Sequence, residues 1–410
     1  MTSTSLALDT ADPLATWHDK FVRADGVVAY LDGNSLGRPL VASGARVAKF
    51  IEEQWAGRLI RGWDESWLDL PLQIGDELGR VVLGAAPGQT TIGDSTTVLL
   101  YKLIRAAVDA RPGRAEVVID RENFPTDRYI VEGVAAERGL TVRWIDSVTD
   151  VVGDSDASVV GAQTALVVLS HIAYRSGYLA DVRAVTERVH AAGALVLWDL
   201  CHSAGVAPIE LDAWDVDLAV GCTYKYLNGG PGSPAFAYVA ARHLGSLRQP
   251  IQGWIGSATP FEMGQGYAPA EGIRGFLSGT PPIIGMLAVQ DTIAAIAEVG
   301  IDAIRAKSID LTSFAIELAD DLLPDAVLAT PRDPLLRGGH ITLDHDSFAS
   351  IMPRLWERGV IPDFRRPNGI RLGLSPLSTS FAELELGVRA IAEELQTSLR
   401  SGGVDTQPVE

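Results

Sequence analysis

Residues 194–232 read ALVLWDLCHSAGVAPIELDAWDVDLAVGCTYKYLNGGPG, and this stretch decides the fold. It contains two apolar runs, 194–198 and 218–222, of the kind that buried parallel strands show. The first run ends at Asp199, and the second is soon followed by Lys225. Because ligands bind at the carboxyl ends of parallel strands, we expect the acid and the lysine to face one crevice.

An acid and a lysine placed in this way are what pyridoxal phosphate requires. The lysine forms a Schiff base with the cofactor, and the acid keeps the pyridine nitrogen protonated so that the ring accepts electrons. Taken alone, Asp199 is typical of a capping acid, and Lys225 of a lysine that reaches from a strand end to solvent. The turn at 229–232, Gly-Gly-Pro-Gly, favours the cofactor because glycines let the backbone approach a ligand closely.

Apolar runs and helical patterns alternate along the middle of the chain, which predicts a mainly parallel sheet with helices on both faces. Beyond Gly285 the pattern changes to long amphipathic helices and short strand-like segments, typical of a smaller α+β domain. We therefore expect three parts. Residues 1–45 form an arm or loop that joins the small domain, residues 46–285 form the large cofactor-binding domain, and residues 286–410 form the small domain. The polar tail, 401–410, is expected to fray.

The chain has 410 residues and a net charge of −18, which disfavours nucleic acid and an anionic membrane surface as partners. Neither of its two cysteines, Cys201 and Cys222, belongs to a metal motif, so a reducing cytoplasm is expected. His340 and His345 lack a third ligand at a suitable spacing, and no metal is expected. We find no signal-peptide pattern and no apolar stretch of about 20 residues that would span a membrane.

Four further groups are candidates for the site. The stretch 94–97, Asp-Ser-Thr-Thr, lies where a loop enters a helix, so it either binds phosphate or caps the helix in the ordinary way. Phe124 either stacks on the pyridine ring or packs in the core. His202 is either a hydrogen-bonding group beside the cofactor or a structural histidine. Arg371 lies on an apolar strand-like segment and needs an anion, which is either a substrate carboxylate or a structural aspartate.

These motifs together resemble the kynureninase family, which are fold-type I pyridoxal-phosphate enzymes akin to class V aminotransferases. The matching stretches are LDGNSLG (31–37), GDSTTVLLYKL (93–103), NFPTDRYI (123–130), WDLCHSAGVAPIELDAWDVD (198–217), TYKYLNGGPG (223–232), GWIG (253–256), FLSGTPPI (276–283) and RLGLSPL (371–377). The resemblance implies a seven-stranded, mainly parallel sheet and a homodimer with shared active sites. It also implies a hydrolase that cleaves the Cβ–Cγ bond of L-kynurenine to give anthranilate and L-alanine.

The resemblance also implies roles for individual residues. The implied catalytic residues are Lys225, Tyr224 and Asp199. The implied cofactor-binding residues are Thr96, Thr97, Phe124, Asp127, Asp199, His202, Tyr224, Lys225, Trp254 and Thr280. The implied substrate-binding residues are Asn34, Ser35, Trp63, Ser257 and Arg371.

The chain departs from the family at Ser257, where a histidine is common on the side of the substrate's aromatic ring. The sequence therefore does not determine which substituents the substrate's aromatic ring carries, and both kynurenine and a ring-modified kynurenine are candidates. Two alternatives remain beside the hydrolase. One is another class V reaction, such as that of an aminotransferase, epimerase or lyase. The other is a non-catalytic protein that has kept the fold, against which the retained pair of Asp199 and Lys225 argues.

Overall fold

The structure is a computed structural model that describes residues 2–153 and 159–400. The tail at 401–410, predicted to fray, lies outside the described residues. The described part of the chain contains twelve strands: β1 (Ala29–Leu31), β2 (Thr90–Ile92), β3 (Glu116–Asp120), β4 (Thr141–Ile145), β5 (Thr164–Ser170), β6 (Leu195–Asp199), β7 (Leu218–Gly221), β8 (Phe236–Val239), β9 (Val327–Leu328), β10 (His340–Asp344), β11 (Val360–Arg365) and β12 (Gly369–Gly373).

Helices connect and cover these strands. Within the described ranges they are α1 (Ser3–Ala11), α2 (Val41–Lys49), α3 (Leu70–Leu78), α4 (Thr96–Asp109), α5 (Pro125–Arg138), α6 (Thr149–Val152), α7 (Val182–Ala191), α8 (Ala241–Leu244), α9 (Ile283–Val299), α10 (Ile301–Leu322), α11 (Phe348–Glu357) and α12 (Phe381–Arg400). Helix α2 continues as a π-helix over Phe50–Ala56. In the part of the chain that is described, no single helix is long and apolar enough to cross a membrane. Helices α9 and α10 meet the criterion only as a pair bent by 90°.

Seven strands form the large sheet, in the order β2-β8-β7-β6-β5-β3-β4. Strands β7, β6, β5, β3 and β4 run parallel, whereas β8 is antiparallel to both of its neighbours. Side chains of the central strand β6 alternate between two apolar clusters, because successive residues of a strand face opposite sides of the sheet. The predicted mainly parallel sheet with two covered faces is confirmed, and β2 is a strand that the sequence had not indicated.

The strand register explains why Asp199 and Lys225 meet. Asp199 is the last residue of β6 and lies opposite Val220 of the parallel neighbour β7. Strand β7 ends at Gly221, and Lys225 follows four residues later. Both residues therefore leave the sheet at the same edge, as the order of apolar runs predicts.

The remaining five strands form a second sheet with its own apolar cluster, in the order β1-β11-β12-β10-β9. Strand β1 pairs in parallel with β11, which places the chain before Val41 against the C-terminal part of the protein. The prediction of an irregular arm was wrong for Ser3–Ala11, which form α1. The N-terminus of this helix is fastened to α12, since Glu385 accepts hydrogen bonds from Thr2 N at 2.7 Å and Ser5 Oγ at 2.5 Å.

Candidate functional site

The carboxyl ends of β6 and β7 border a cavity of about 430 Å³. Asp199 and Lys225 both line it, so the structure brings the two decisive residues of the sequence together. Five other predicted site residues line the same cavity, namely Thr96, Thr97, Phe124, Asp127 and Tyr224. A pocket of this size, enclosed mostly by apolar atoms with a few convergent polar groups, suits a small-molecule cofactor.

Lys225 is held in place by its neighbours on three sides. Its Nζ atom lies 3.1 Å from Nε2 of His202 and 5.7 Å from the centre of the Phe124 ring. The backbone before it accepts a hydrogen bond, from the N–H of Gly37 to the carbonyl of Tyr224 at 2.8 Å. A Cβ atom at Gly37 would lie only 2.3 Å from the carbonyl oxygen of Lys225, so only glycine permits this approach.

Two carboxyl groups face each other on the other side of the cavity. Asp199 Oδ1 accepts a hydrogen bond from the backbone N–H of Cys201 at 2.7 Å, and Asp127 lies close enough for the charge of Asp199 to act on its carboxyl. Burial, followed by the negative charge of Asp199, raises the pKa of Asp127 well above its usual range. The raised pKa favours the protonated form of Asp127, whose buried Oδ2 atom has no partner among the described residues.

His202 and Tyr224 are neutral groups beside the lysine. Burial, and then the positive charge of Lys225, lower the pKa of His202 well below its usual value. The imidazole is thus uncharged at neutral pH and able to accept a hydrogen bond from the amine. Burial also raises the pKa of the Tyr224 phenol, which keeps its proton and can donate a hydrogen bond into the cavity.

The N-terminus of α4 forms one wall of the cavity. Ser95 caps the helix, with its hydroxyl accepting a hydrogen bond from Val98 N at 3.4 Å. Thr96 and Thr97 follow in the first turn, where N–H groups lack partners within the helix. A buried ion pair lies behind this wall, because Lys102 Nζ is 2.5 Å from Asp94 Oδ2. Sequence analysis missed Lys102, although a lysine among the apolar positions of an amphipathic helix was a visible signal.

Arg371 is fully buried and lies in a separate polar cluster. Its guanidinium donates to the carbonyl of Tyr174 at 2.6 Å and to Ser35 Oγ at 2.8 Å, and it pairs with Asp363 at 2.7 Å. The amide of Asn34, with its oxygen turned toward the arginine, accepts from Nε at 3.0 Å. The sequence allowed two anions for Arg371, a substrate carboxylate or a structural aspartate, and the structure provides an aspartate, Asp363. It also places the predicted Asn34 and Ser35 beside the arginine.

Four further predicted site residues do not line the cavity of Lys225 within one copy of the chain. Trp254 and Ser257 line a cavity of about 660 Å³. Trp63 lines an apolar pocket of about 330 Å³, to which the first residues of α9 also contribute. Thr280 lines neither of these nor the cavity of Lys225. The roles of these four residues stay predictions. Pro282, to which the sequence assigned no role, lines both the lysine cavity and the apolar pocket, so the two are neighbours.

The chain matches known proteins along nearly its whole length. A family model described as the kynureninase C-terminal domain matches residues 304–391. A kynureninase from Pseudomonas fluorescens is 39% identical over 399 residues, which cover 95% of this chain and 94% of the relative. A kynureninase from Burkholderia pseudomallei (strain 1106a) is 41% identical over 402 residues, which cover 96% of this chain and 95% of the relative.

Solved structures resemble the fold at much lower identity. The apo structure of a cysteine desulfurase from Thermococcus onnurineus NA1 has a TM-score of 0.78 at 16% identity, covering 93% of this chain and 98% of that chain. A C-DES mutant with glycine covalently linked to its PLP cofactor has a TM-score of 0.77 at 18% identity, covering 88% and 96%. At such identities the likeness shows the fold alone, and the predicted fold-type I architecture is confirmed.

Proposed function

The chain belongs to the kynureninase family, and from this premise we infer that it is a pyridoxal-phosphate-dependent hydrolase. It cleaves the Cβ–Cγ bond of L-kynurenine, or of a ring-modified kynurenine, to anthranilate and L-alanine. The observation that carries this function is the placement of Asp199 and Lys225 in one cavity, within a chain of which 95% matches a kynureninase.

The residues of the cavity fit the cofactor. Lys225 would offer a buried amine to the cofactor's aldehyde, and the carboxylate of Asp199 would accept a hydrogen bond from the protonated pyridine nitrogen, with Asp127 lining the same cavity. The unpartnered Oδ2 atom of Asp127 is a buried polar group that a ligand would satisfy. Thr96 and Thr97, at the start of α4, hold the phosphate, since helix N-termini attract anions.

When bound, pyridoxal phosphate supplies a ring that accepts the electron pair released at the substrate's α-carbon. Lys225 removes the α-proton through Nζ and later returns a proton. The carboxylate of Asp199 keeps the pyridine nitrogen protonated. Tyr224, which retains its own proton, would donate a hydrogen bond to the phosphate and would relay a proton when water adds to the γ-carbonyl carbon. Breakage of the Cβ–Cγ bond would leave the carboxyl group on anthranilate and the bonding electron pair on Cβ, which would take up a proton to become the methyl group of L-alanine.

The test is a product assay with the purified holoenzyme. We expect L-kynurenine, 3-hydroxykynurenine or both to be converted, with the fluorescence of the anthranilate product as readout. Lys225→Ala should lose at least about a thousandfold in kcat and also lose the visible absorption band of the lysine-bound cofactor. Lys20→Ala, which changes a half-exposed lysine, is the matched control. No product from either substrate would contradict the proposed reaction.

We also propose that Arg371, with Asn34 and Ser35, receives the substrate's carboxylate. Its guanidinium already has an acidic partner in Asp363, so the substrate would share the cluster with that residue. We propose further that residues 1–45 and 286–410 form the small domain and that 46–285 form the large domain. A cytoplasmic location is supported by two free, buried cysteines.

A homodimer with shared active sites is the proposed assembly. The stretch after α2 exposes a row of large apolar side chains, Ile51, Trp55, Leu59 and Ile60, with exposed fractions from 42% to 77%. Trp55 also lines the apolar pocket that borders the lysine cavity. A second copy covering this surface would bring its own residues toward the cavity, which is where Trp63, Trp254, Ser257 and Thr280 would act.

Sedimentation velocity with matched variants tests this assembly. We expect the wild-type chain to be a dimer and Trp55→Asp to be a monomer with little activity, because a buried charge disrupts an apolar interface. Trp356→Asp is the control, since Trp356 is exposed to a similar fraction, 56% against 53% for Trp55, but lies on α11. A monomeric wild type with full activity would contradict the proposal.

Other reactions on the same fold have weaker support. A cysteine desulfurase needs a mobile, reactive cysteine, and both cysteines of this chain, Cys201 and Cys222, are buried. The desulfurase structures that resemble this chain therefore support its fold and not its reaction.

A further inference from the structure

The buried ion pair behind the N-terminus of α4 has no part in the function described so far. Lys102 is completely buried on α4, and its Nζ atom contacts Asp94 Oδ2 at 2.5 Å and the carbonyl oxygen of Phe276 at 2.7 Å. Asp94 also accepts a hydrogen bond from Ser278 Oγ at 3.3 Å. The pair therefore joins α4 to the segment that leads toward Thr280, and it does so beside the residues proposed to hold the phosphate.

Asp94 presents an electrostatic problem for a phosphate site. Its side chain lines the cavity together with Ser95, Thr96 and Thr97 and is 27% exposed. A carboxylate at this position would repel the doubly negative phosphate of the cofactor. Asp94 also has an unusual backbone conformation, with φ at +52°, and its carbonyl accepts a hydrogen bond from Ala235 N at 3.0 Å.

The positive charge of Lys102 offsets the negative charge of Asp94, and the lysine itself does not line the cavity. The side chain is 0% exposed, so solvent screens the charge of its ammonium less than it would at the surface. Burial lowers the pKa of Lys102, and the carboxylate of Asp94 opposes this effect. The distance of 2.5 Å between Nζ and Oδ2 makes the two groups a salt bridge, in which the charge of each member offsets that of the other.

On the basis of the proposed function, we propose that Lys102 is a positioning residue for the cofactor's phosphate. It neutralises Asp94 at the N-terminus of α4 and fixes the carboxylate between the helix and Ser278. It touches neither the substrate nor the reacting atoms. Lys102 should therefore strengthen the binding of a ligand that carries the phosphate and leave the binding of the same ring without a phosphate unchanged.

The experiment compares pyridoxal phosphate with pyridoxal, which has the same aldehyde and ring but no phosphate. The full-length apoenzymes are titrated with each compound, and binding is followed by absorbance and by quenching of tryptophan fluorescence. The measured quantity is the ratio of the pyridoxal Kd to the pyridoxal phosphate Kd. In Lys102→Met we expect this ratio to fall by about tenfold or more, because an uncompensated Asp94 carboxylate then faces the phosphate.

Two further variants separate this effect from a loss of folding. In Asp94→Asn/Lys102→Met the repelling charge is also gone, and the ratio should return to within about threefold of wild type, since neutral replacement of both members of a buried pair is tolerated. Lys307→Met is the matched control, because Lys307 is also buried and pairs with Asp12 at 2.6 Å, but on α10. Its ratio should equal that of wild type.

The possible results are distinct. An unchanged ratio in Lys102→Met, or equal weakening of both compounds, would overturn the role of Lys102. A ratio in the double variant as low as that in Lys102→Met would overturn the compensation of Asp94. A wild-type chain that binds neither compound would instead contradict the proposed function, on which this inference rests.

Discussion

Lys225 Nζ lies 3.1 Å from His202 Nε2, and both side chains are buried at the edge of the large sheet. The imidazole is neutral because burial and the charge of Lys225 lower its pKa well below the usual value. A neutral ring accepts a hydrogen bond from the amine and fixes the direction in which Nζ points. His202 therefore orients the lysine and does not exchange protons near neutral pH.

The first prediction follows from this orientation. His202→Ala should lower kcat by about 10- to 100-fold, whereas His202→Gln, which keeps an acceptor, should lose less. Because His202 stays neutral, the pH profile of kcat/KM between pH 6 and 8 should have the same shape in His202→Gln as in wild type. Loss of an ionisation from this profile in His202→Gln would show that the histidine titrates during the reaction.

The second prediction contrasts the two facing carboxyls. The raised pKa of Asp127 favours its neutral form, so Asp127→Asn replaces a neutral acid by a neutral amide of nearly the same shape and should reduce kcat by less than about tenfold. Asp199→Asn removes the charge that holds the pyridine nitrogen protonated and should reduce kcat by about a hundredfold or more. Steady-state kinetics of the two variants, at saturating cofactor, measure the two losses in kcat. Equal losses would mean that Asp127 is charged in the active enzyme.

The extent to which the site follows from sequence depends on how local each contact is. Asp199 and Lys225 could be placed because each ends a recognisable apolar run, and parallel strands bring their ends together. Asp363 could not be placed, because its contact with Arg371 depends on the register of β11 against β12, where the two residues are direct partners. Strand β11 itself had not been predicted, and its burial alternates only weakly.

The fold shows the same distinction at its N-terminus. The segment of α1 has small polar residues and no strong helical pattern, so its sequence suggested an arm. Its first turn depends on tertiary contacts with Glu385, which lies on the last helix of the described chain. Local sequence signals carry no information about a partner so far along the chain.

The third prediction concerns Arg371, whose guanidinium contacts Asp363, Ser35 and the carbonyl of Tyr174. If it also receives the substrate's carboxylate, Arg371→Lys should raise KM by about tenfold or more, because lysine cannot reproduce the planar fork. Kinetics should be measured together with unfolding in urea. A loss of stability with an unchanged KM would make the arginine purely structural, and Ser35→Ala then serves as the milder comparison within the same cluster.

The last prediction is a pH dependence of stability that originates in His171. This residue is buried, and its ring packs edge-on against Trp198 and Trp214. Burial, and secondarily the charge of Arg305, lower its pKa from 6.5 to about 3. The folded state therefore binds fewer protons than the unfolded state between these two values. The contribution of His171 to stability is complete above pH 6.5 and is lost as the pH falls toward 3.

Acidification from pH 7.5 to pH 5 should then cost about 2 kcal/mol through this residue alone. In His171→Asn, the difference in unfolding free energy between these pH values, measured with urea, should be smaller than in wild type by about that amount. His190→Gln should behave in the opposite sense. A hydrogen bond to Asp217 raises the pKa of His190, so this histidine stabilises the fold at acidic pH and its removal makes the decline steeper. Equal pH dependence in wild type and His171→Asn would show that His171 is protonated within the folded protein.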